Sequence, residues 1–297
     1  MVISLENVNE DLISELKRFY LCYYSPDNRF FSDGYLSWML LNNPHGVGIS
    51  VNVRLEGDII SNMFLIPVEL IKYGNVKLAY YVVDVLSHPN HRDKNLFIKM
   101  IRSAVKMAKD NERCLIGHPN SNALPGWKRA KMSFQPNFNS YISRPGVNRH
   151  KKNVYSRSQI SEKDREDISL LIKKNNKLTI NSSVEFIAWK YIDCPSKKYK
   201  IEFFYNKSSL IGVIVSYKVK GLIDRVVHFM YDDQYIREII CSTIIPKIFS
   251  FADTCQLASI DKLFFNTRIG SSVNYFFTDY SHDLDNGSNI TYAACDN

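Results

Sequence analysis

The chain contains 297 residues, of which 45% are hydrophobic and 23% are charged, a composition typical of a folded globular protein that excludes extensive disorder. No apolar run approaches the roughly 18 residues that a membrane-spanning helix requires, and the first twenty residues are acidic and amphipathic, unlike a secretion signal. The formal net charge of +8 favours an anionic partner without choosing among nucleic acid, a membrane surface and a phosphorylated small molecule. We therefore expect a cytoplasmic protein.

The six cysteines are scattered along the chain without any Cys-x-x-Cys pair. Zinc sites and disulfide frameworks both show regular cysteine spacings. The sequence therefore predicts no metal site and no disulfide framework.

A pattern in the first half of the chain recurs in the second half. It consists of a Trp-bearing helix that ends at a proline, a strand, a polar turn and another strand. The matching stretches are residues 35–44 with 186–195 and residues 56–64 with 207–215, all at an offset of 151 residues. A single offset without a gap indicates an internal duplication.

The duplication predicts two tandem α/β domains with mixed sheets flanked by helices. The first would comprise residues 1–145 and the second residues 146–297. Trp38 and Trp189 occupy matched positions of the repeat, and we interpret them as core anchors, although stacking on a substrate is the alternative.

The remaining elements follow from hydrophobic periodicity and turn residues. In the first half we predict a strand near residues 77–86, a helix near 95–109, a strand at 113–117, a helix near 123–132 and a final strand around 134–142. In the second half we predict a strand near 224–231, a helix near 236–254 and a strand at 262–265.

The strand-to-helix junction differs between the halves. In the first half a basic loop leads into the helix, whose unpaired N–H groups and positive dipole end favour a bound anion. In the second half Asp232 and Asp233 stand at the junction and would repel a phosphate. Only the first half is therefore predicted to hold an anionic cofactor.

The basic loop resembles that of the GNAT superfamily, the acetyl-CoA-dependent N-acetyltransferases. The family pattern Arg/Gln-x-x-Gly-x-Gly/Ala aligns with Arg92, Asp93, Lys94, Asn95, Leu96 and Phe97. The resemblance implies that the amides of this loop bind the pyrophosphate of coenzyme A. It also implies two GNAT-like domains with mostly antiparallel sheets, the second degenerate.

The loop departs from the family pattern at two positions, and Asp93, at a variable position of the pattern, also bears on its role. Asn95 replaces the first glycine, and asparagine tolerates positive φ better than most residues. Phe97 replaces the second glycine and would be tolerated if its side chain points into the sheet. Asp93 could cap its own helix and occupy the amides that pyrophosphate would use.

The resemblance extends to the coenzyme arm. It implies that the backbone of Val85, Leu86 and Ser87 pairs with the pantetheine. Asn120, in a stretch similar to the family's Asn-x-x-Ala, would bond the same arm, and its alternative role is to cap the next helix. Trp127 stands where many family members have a tyrosine that protonates the departing thiolate, and indole cannot serve as an acid.

Acetyl transfer to an ammonium group requires a base, and the candidates are Asp84 and His118. Strict alternation places Tyr80, Val82 and Asp84 on one face of their strand. Pairing of Asp84 with a buried arginine, and a purely structural role for His118, are the alternatives.

The leading hypothesis is an N-acetyltransferase that acts on a primary amine and needs no metal. The resemblance suggests an amino sugar of surface-polysaccharide biosynthesis, such as a nucleotide-linked one, as the acceptor, and the second half as the wall or lid of its pocket. Nucleic acid is not the expected partner. Two alternatives remain, namely an aminoacyl-tRNA-dependent peptidyltransferase-like enzyme with tandem halves and a noncatalytic binding module.

Overall fold

The structure is a computed structural model that describes residues 1–72, 74–134, 138–143, 153–157, 159–174, 178–251, 264–273 and 276–280. Its first ten elements are β1 (Val2–Asn7), α1 (Glu10–Tyr20), α2 (Tyr35–Leu40), β2 (Ile49–Leu55), β3 (Asp58–Lys72), β4 (Asn75–Ser87), α3 (Leu96–Asp110), β5 (Cys114–Gly117), α4 (Leu124–Arg129) and β6 (Phe138–Ser143). Within this described part, no helix is both long and apolar enough to cross a bilayer.

The remaining elements are β7 (Asn153–Arg157), α5 (Glu162–Lys174), β8 (Thr179–Ile180), α6 (Val184–Ile187), β9 (Lys200–Asn206), β10 (Ser209–Lys220), β11 (Ile223–Tyr231), α7 (Ile236–Cys241), β12 (Lys247–Phe251), β13 (Phe264–Val273) and β14 (Phe276–Thr278). Short 3-10 turns cover Arg29–Phe31, Pro89–Lys94 and Asp233–Tyr235, and a π-helical turn covers Ala188–Ile192.

The strands form two sheets. The first has the order β1-β2-β3-β4-β5-β14 with β8 paired to β3, and the second has the order β13-β6-β12-β11-β10-β9-β7. Each described sheet is antiparallel except for one parallel pair, β4–β5 in the first and β11–β12 in the second. The predicted α/β class, with two mixed and mostly antiparallel sheets flanked by helices, is confirmed.

The two sheets repeat the same local geometry. β1, β2 and β3 begin 151 residues before β7, β9 and β10, respectively. The tight turns between the paired strands also match, because Glu56 and Lys207 both adopt positive φ, at 54° and 55°. A repeat of backbone conformation at one offset is what a duplicated unit would produce.

The strands that complete each sheet are exchanged between the halves. β6 pairs with β12 and β13 in the second sheet, whereas β14 pairs with β5 in the first. The strand predicted around residues 134–142 therefore exists, but it does not end the sheet of its own half. The edge of β5 is occupied by Phe276, whose ring lies 2.5 Å from where a Cβ would stand on Gly117. The boundary between residues 145 and 146 stays a prediction.

The prediction of one helix near residues 236–254 is correct only for its first residues and is wrong after Cys241. α7 ends at Cys241, and the strand β12 begins at Lys247. Pro246 has no N–H to donate and disfavours a helical conformation in the residue before it. The preceding residues Thr243, Ile244 and Ile245 are β-branched and suit extended structure. The strand predicted at 262–265 overlaps β13.

Trp38 and Trp189 join the two repeats through a reciprocal contact. The Nε1–H of Trp38 donates to the carbonyl oxygen of Trp189 at 2.6 Å, and the Nε1–H of Trp189 donates to that of Trp38 at 2.7 Å. The rings stack with centroids 5.4 Å apart and planes inclined by 27°. Matched residues of a repeat thus contact each other about a local pseudo-twofold axis.

We expect the two tryptophans to be coupled energetically. Trp38→Phe and Trp189→Phe each remove one indole donor and leave a carbonyl unpaired, which costs about 1–3 kcal/mol of unfolding free energy. Because the two bonds join the same pair of residues, the double variant should lose less than the sum, with a coupling of about 0.5–3 kcal/mol. Urea unfolding of the four proteins measures it, and additive losses would contradict a reciprocal contact.

Candidate active site

A β-bulge interrupts β4 at Asp84. Asn62 of β3 lies opposite Leu86 and Phe64 lies opposite Val83, so β4 carries one extra residue between these pairs. Asp84 takes a positive φ of 50°, which aspartate tolerates better than most residues.

The bulge changes the face on which Asp84 lies. Strict alternation predicts a face shared with Tyr80 and Val82, and this prediction is wrong. Those two residues pack in the core beside α3, whereas Asp84 lies on the opposite face, with a carboxylate oxygen 4.0 Å from Nη2 of Arg29. An inserted residue shifts the alternation by one position, because side chains change face at every residue.

Beyond the bulge, β4 and β5 separate. Their parallel pairing covers Ala79–Val82 and Cys114–Gly117 and, within these described strands, goes no further. The end of β4 is held from the other side, because the Ser61 hydroxyl donates to the Leu86 carbonyl at 2.6 Å and lies 2.7 Å from the Ser87 hydroxyl. The stretch Val83–Ser87 therefore turns one backbone edge towards an opening.

The opening between the strands leads into a cavity of about 290 Å³. The first repeat contributes Asp84, His118 and a set of aromatic rings to its wall. The second half of the chain contributes five residues: Ile180, Phe186, Trp189, Lys190 and Phe276. The cavity is thus built from both halves of the chain.

Asp84 is the carboxylate of this cavity. Its side chain is 18% exposed, and burial raises its pKa, an effect that the nearby Arg29 guanidinium partly offsets. Arg29 itself lies over the rings of Phe30 and Tyr35, at 5.5 and 5.4 Å from their centroids. The sequence offered pairing of Asp84 with an arginine as an alternative to a role as base. Arg29 is such an arginine, but its distance from Asp84 is too long for a hydrogen bond.

His118 follows β5 and lines the same cavity. Its Nδ1 lies 2.9 Å from the hydroxyl oxygen of Tyr81. Burial lowers the pKa of His118 to about 3, and the positive charge of Lys190 lowers it further in the same direction. The imidazole is consequently neutral at physiological pH.

The loop before α3 adopts the expected turn. After the 3-10 turn Pro89–Lys94, Asn95 takes φ 53° and ψ 32°, the left-handed conformation that a glycine would otherwise supply. Its side chain does not cap α3, because Oδ1 accepts a hydrogen bond from Arg129 at 3.1 Å. The Asn95 carboxamide thus leaves the first amides of α3 open to an anion.

The basic side chains of the loop are exposed. Arg92 lies against Tyr23, with Nη2 3.4 Å from the hydroxyl oxygen, and Nζ of Lys94 is 3.1 Å from Nδ1 of His91. The backbone of Asp93 belongs to the turn, but its side chain lies outside the described part of the structure. Its predicted role as a cap of α3 therefore stays a prediction. Leu96 is buried and anchors the start of α3.

Phe97 and Trp127 pack against each other at the end of the cavity. Their rings meet edge to face at 5.5 Å, and Trp127 lies 4.4 Å from the ring of Phe276. A Cβ on Gly126 would stand 2.6 Å from Phe97. The phenylalanine in place of a glycine therefore points towards α4, where it packs against the core beside α3.

Asn120 caps the turn that precedes α4 and does not cap the helix itself, whose N-cap residue is Ala123. Its Oδ1 accepts a hydrogen bond from the Ala123 amide at 2.9 Å. Its role towards a coenzyme, like the roles of Val85, Leu86 and Ser87, stays a prediction. Among the described residues, no group of three or more His, Cys, Asp and Glu side chains is placed to hold a metal ion.

Several residues that line the cavity were not indicated as site residues by any pattern in the sequence. Arg29 lies in a 3-10 turn after α1, Lys190 in the second repeat and Phe276 near the end of the chain. They converge only through tertiary packing. The sole sequence signal was the repeat itself, which marked the Trp189 segment as a possible neighbour of the first half.

Known proteins resemble this chain in structure. Comparison by sequence finds no matching family model and no matching curated protein. A GCN5-related N-acetyltransferase from Kribbella flavida superposes with a TM-score of 0.68 at 8% identity, over 94% of this chain and 71% of that one. A conserved protein of unknown function from Enterococcus faecalis V583, described as a probable N-acyltransferase, superposes with a TM-score of 0.63 at 12% identity. This superposition covers 94% of this chain and 73% of that one.

The likeness includes an enzyme solved with an acyl-coenzyme A ligand. The Saccharomyces cerevisiae N-myristoyltransferase with bound myristoyl-CoA superposes with a TM-score of 0.56 at 11% identity, over 94% of this chain and 79% of that one. At such identities a likeness establishes the fold and leaves the chemistry to the residues of the site. The chain has the GCN5-related N-acetyltransferase fold, as the resemblance in its basic loop predicted.

Proposed function

We propose that the protein is an N-acetyltransferase that moves an acetyl group from acetyl-CoA to a primary amine. The observation that carries the proposal is the gap between β4 and β5, whose pairing ends at Val82, next to the bulge of Asp84, and whose residues line the cavity. The same strand β4 leads through the basic loop to α3, so a candidate anion-binding helix end and a pocket that contains a carboxylate follow from one strand.

The residues at the start of α3 fit the pyrophosphate of coenzyme A. The left-handed Asn95 exposes the first amides of the helix, and Arg92, Lys94 and Arg129 bring three positive charges to the same end. The backbone of Val85, Leu86 and Ser87 would pair with the pantetheine arm. When bound, the coenzyme supplies an acetyl group activated as a thioester.

Asp84 is the better candidate for the base. An ammonium group must lose a proton before it attacks, and a carboxylate whose pKa is raised by burial accepts a proton more readily than an ordinary one. The pKa of His118, at about 3, makes its imidazole a weak base. We therefore assign proton removal to Asp84 and the support of the cavity wall to His118.

The acceptor would enter between the two repeats. Phe186, Trp189 and Lys190 form the wall contributed by the second half, opposite Asp84 and Tyr24. Aromatic rings beside a carboxylate and cations suit a polar ring with an amino group, so amino sugars of the kind used in surface-polysaccharide biosynthesis are the first acceptors to test.

Arg92→Glu should abolish acetyl-CoA binding without unfolding the protein. The substitution reverses a charge beside the helix end that would bind pyrophosphate, and we expect the affinity to fall at least about tenfold. Saturating acetyl-CoA, at 100 times its dissociation constant, should stabilise the wild type by about 2.7 kcal/mol, visible as a rise of the melting midpoint.

Arg102→Glu is the matched control, because Arg102 is exposed on the same helix, farther along α3. It makes the same charge change and should leave coenzyme binding within about threefold of wild type. If millimolar acetyl-CoA does not shift the melting midpoint of the wild type, the proposed function is wrong. If both variants bind equally well, the placement of the pyrophosphate is wrong.

Asp84→Asn should spare coenzyme binding and lower kcat by about 100-fold or more. Asparagine also tolerates the positive φ of this position, so the bulge should persist. Because burial raises the pKa of Asp84, the folded state favours the protonated form, and removing the charge should not lower stability at neutral pH.

The pH dependence of kcat shows whether Asp84 acts as a base or has only a structural role. In the wild type, kcat should fall with decreasing pH as Asp84 becomes protonated, at a pH above the usual carboxyl pKa of about 3.9. A coenzyme-release assay across pH measures this limb, which should be absent from Asp84→Asn. A variant that melts early, or that keeps the same acidic limb, would show that Asp84 is not the base.

A further inference from the structure

Nearly all the net charge of the chain comes from one segment. Residues 91–131 contain ten Lys or Arg and three Asp or Glu, which gives this segment a net charge of +7, whereas the whole chain carries +8. The segment comprises most of the basic loop together with α3, β5 and α4. The positive charge is therefore concentrated around the helix end that would bind the pyrophosphate of coenzyme A.

Four cations of this segment form a stripe along α3. They are exposed and recur every three or four residues, so they share one face of the helix: Lys99, Arg102, Lys106 and Lys109. The opposite face of α3 is apolar and packs in the core. At 1.5 Å per residue this basic stripe is about 15 Å long, and it begins about one turn after Asn95. Two exposed acidic residues, Asp110 and Glu112, follow its far end.

The basic stripe extends beyond what coenzyme A would contact. Coenzyme A carries its charge on a pyrophosphate and a 3′-phosphate, and other cations already surround the start of α3. Arg92 and Lys94 belong to the loop that enters the helix, and Arg129 donates to Oδ1 of Asn95 at 3.1 Å. The stripe leads away from this end along the outside of α3 and therefore suits a larger anionic partner.

We propose that the basic stripe binds an acidic carrier protein whose phosphopantetheine arm enters the gap between β4 and β5. This inference rests on the proposed function and adds a macromolecular donor of the acetyl group. Phosphopantetheine is the part of coenzyme A that the backbone of Val85, Leu86 and Ser87 would bind, so both donors would use one gap. The acidic surface of the carrier would lie along the stripe.

The chemistry with a carrier is the same as with acetyl-CoA. The amine nitrogen forms a bond to the thioester carbonyl carbon, and the bond from that carbon to sulfur breaks. Of the two protons that the acceptor ammonium group loses, one is taken up by the leaving thiolate and the other passes to water. The products are an amide and a carrier with a thiol on its arm.

A nucleic acid is the other polyanion that such a stripe could contact. An aminoacylated RNA carries its acyl group on a ribose and has no extended arm to lie in the gap beside Val85. The exposed residues of α3, all within the described part of the chain, also include no aromatic ring on which a base could stack. The gap and the stripe together therefore favour a carrier protein.

The binding test uses a carrier protein with and without its arm. Fluorescence anisotropy of a labelled acyl carrier protein of the fatty-acid synthase type measures its affinity for the full chain at low salt. We expect the holo form, which bears the arm, to bind at least about tenfold more tightly than the apo form. The affinity of both forms should fall as salt is raised, because exposed charges are screened. A transfer RNA is the comparison ligand.

Charge reversal on the helix assigns this binding to the stripe. The double variant Arg102→Glu with Lys106→Glu should bind the holo carrier at least about tenfold more weakly and acetyl-CoA within about threefold of wild type. The introduced glutamates lie three residues from Lys99 and Lys109, a spacing that stabilises a helix, and the melting midpoint checks the fold. Lys198→Glu, at an exposed lysine of the second half, is the matched control and should bind both ligands as the wild type does.

The outcomes separate this inference from the proposed function. A wild type that binds acetyl-CoA but not the holo carrier overturns the inference and leaves the proposed function in place. A wild type that binds the holo carrier but not acetyl-CoA contradicts the proposed donor alone. Equal affinity for holo and apo carrier, undiminished carrier binding by the double variant, or tighter binding of transfer RNA than of the carrier also overturns the inference.

Discussion

The reciprocal contact between Trp38 and Trp189 is the interaction on which the arrangement of the molecule depends. Each indole donates to the backbone of the other, so neither tryptophan can shift without losing two hydrogen bonds. The contact joins matched positions of a duplicated unit, and it lies at the wall of the cavity. Packing between the repeats and the shape of the candidate active site are therefore set by the same pair of residues. The exchange of β6 and β14 adds to this, because each sheet is completed by the other half of the chain.

One inserted residue in β4 decides on which face of the first sheet Asp84 lies. The bulge at Asp84 moves a carboxylate from the face beside α3 to the face that the second repeat covers. In the second sheet, Val213 to Val215 pair regularly with Met230 to His228, and a bulge follows between Val215 and Ser216, where β11 carries the extra residue Val227. The halves thus share a backbone plan and differ in the position and residues of the bulge and in the basic loop. This difference accounts for a candidate site in only one of them, since Asp232 and Asp233 occupy the corresponding junction of the other.

The electrostatics of the cavity assign separate roles to its polar groups. Burial raises the pKa of Asp84 and lowers that of His118, so the carboxyl holds a proton more readily while the imidazole stays neutral. Such divergence of two titratable groups is typical of sites that move protons. Lys190 adds a positive charge from the far wall. The second half of the chain in this way shapes the pocket beside β4.

The sequence alone determined the features that depend on neighbouring residues. Hydrophobic periodicity predicted β4, α3 and β5, a single offset predicted the repeat, and the tolerance of Asn95 for positive φ predicted the turn before α3, because each of these is decided within a few residues. Only the tertiary structure decided which sheet β6 joins, on which face Asp84 lies and that Arg29, Lys190 and Phe276 meet in one cavity. Strand pairing, register and convergence are set by contacts between segments far apart in the chain, and a sequence pattern does not carry that information.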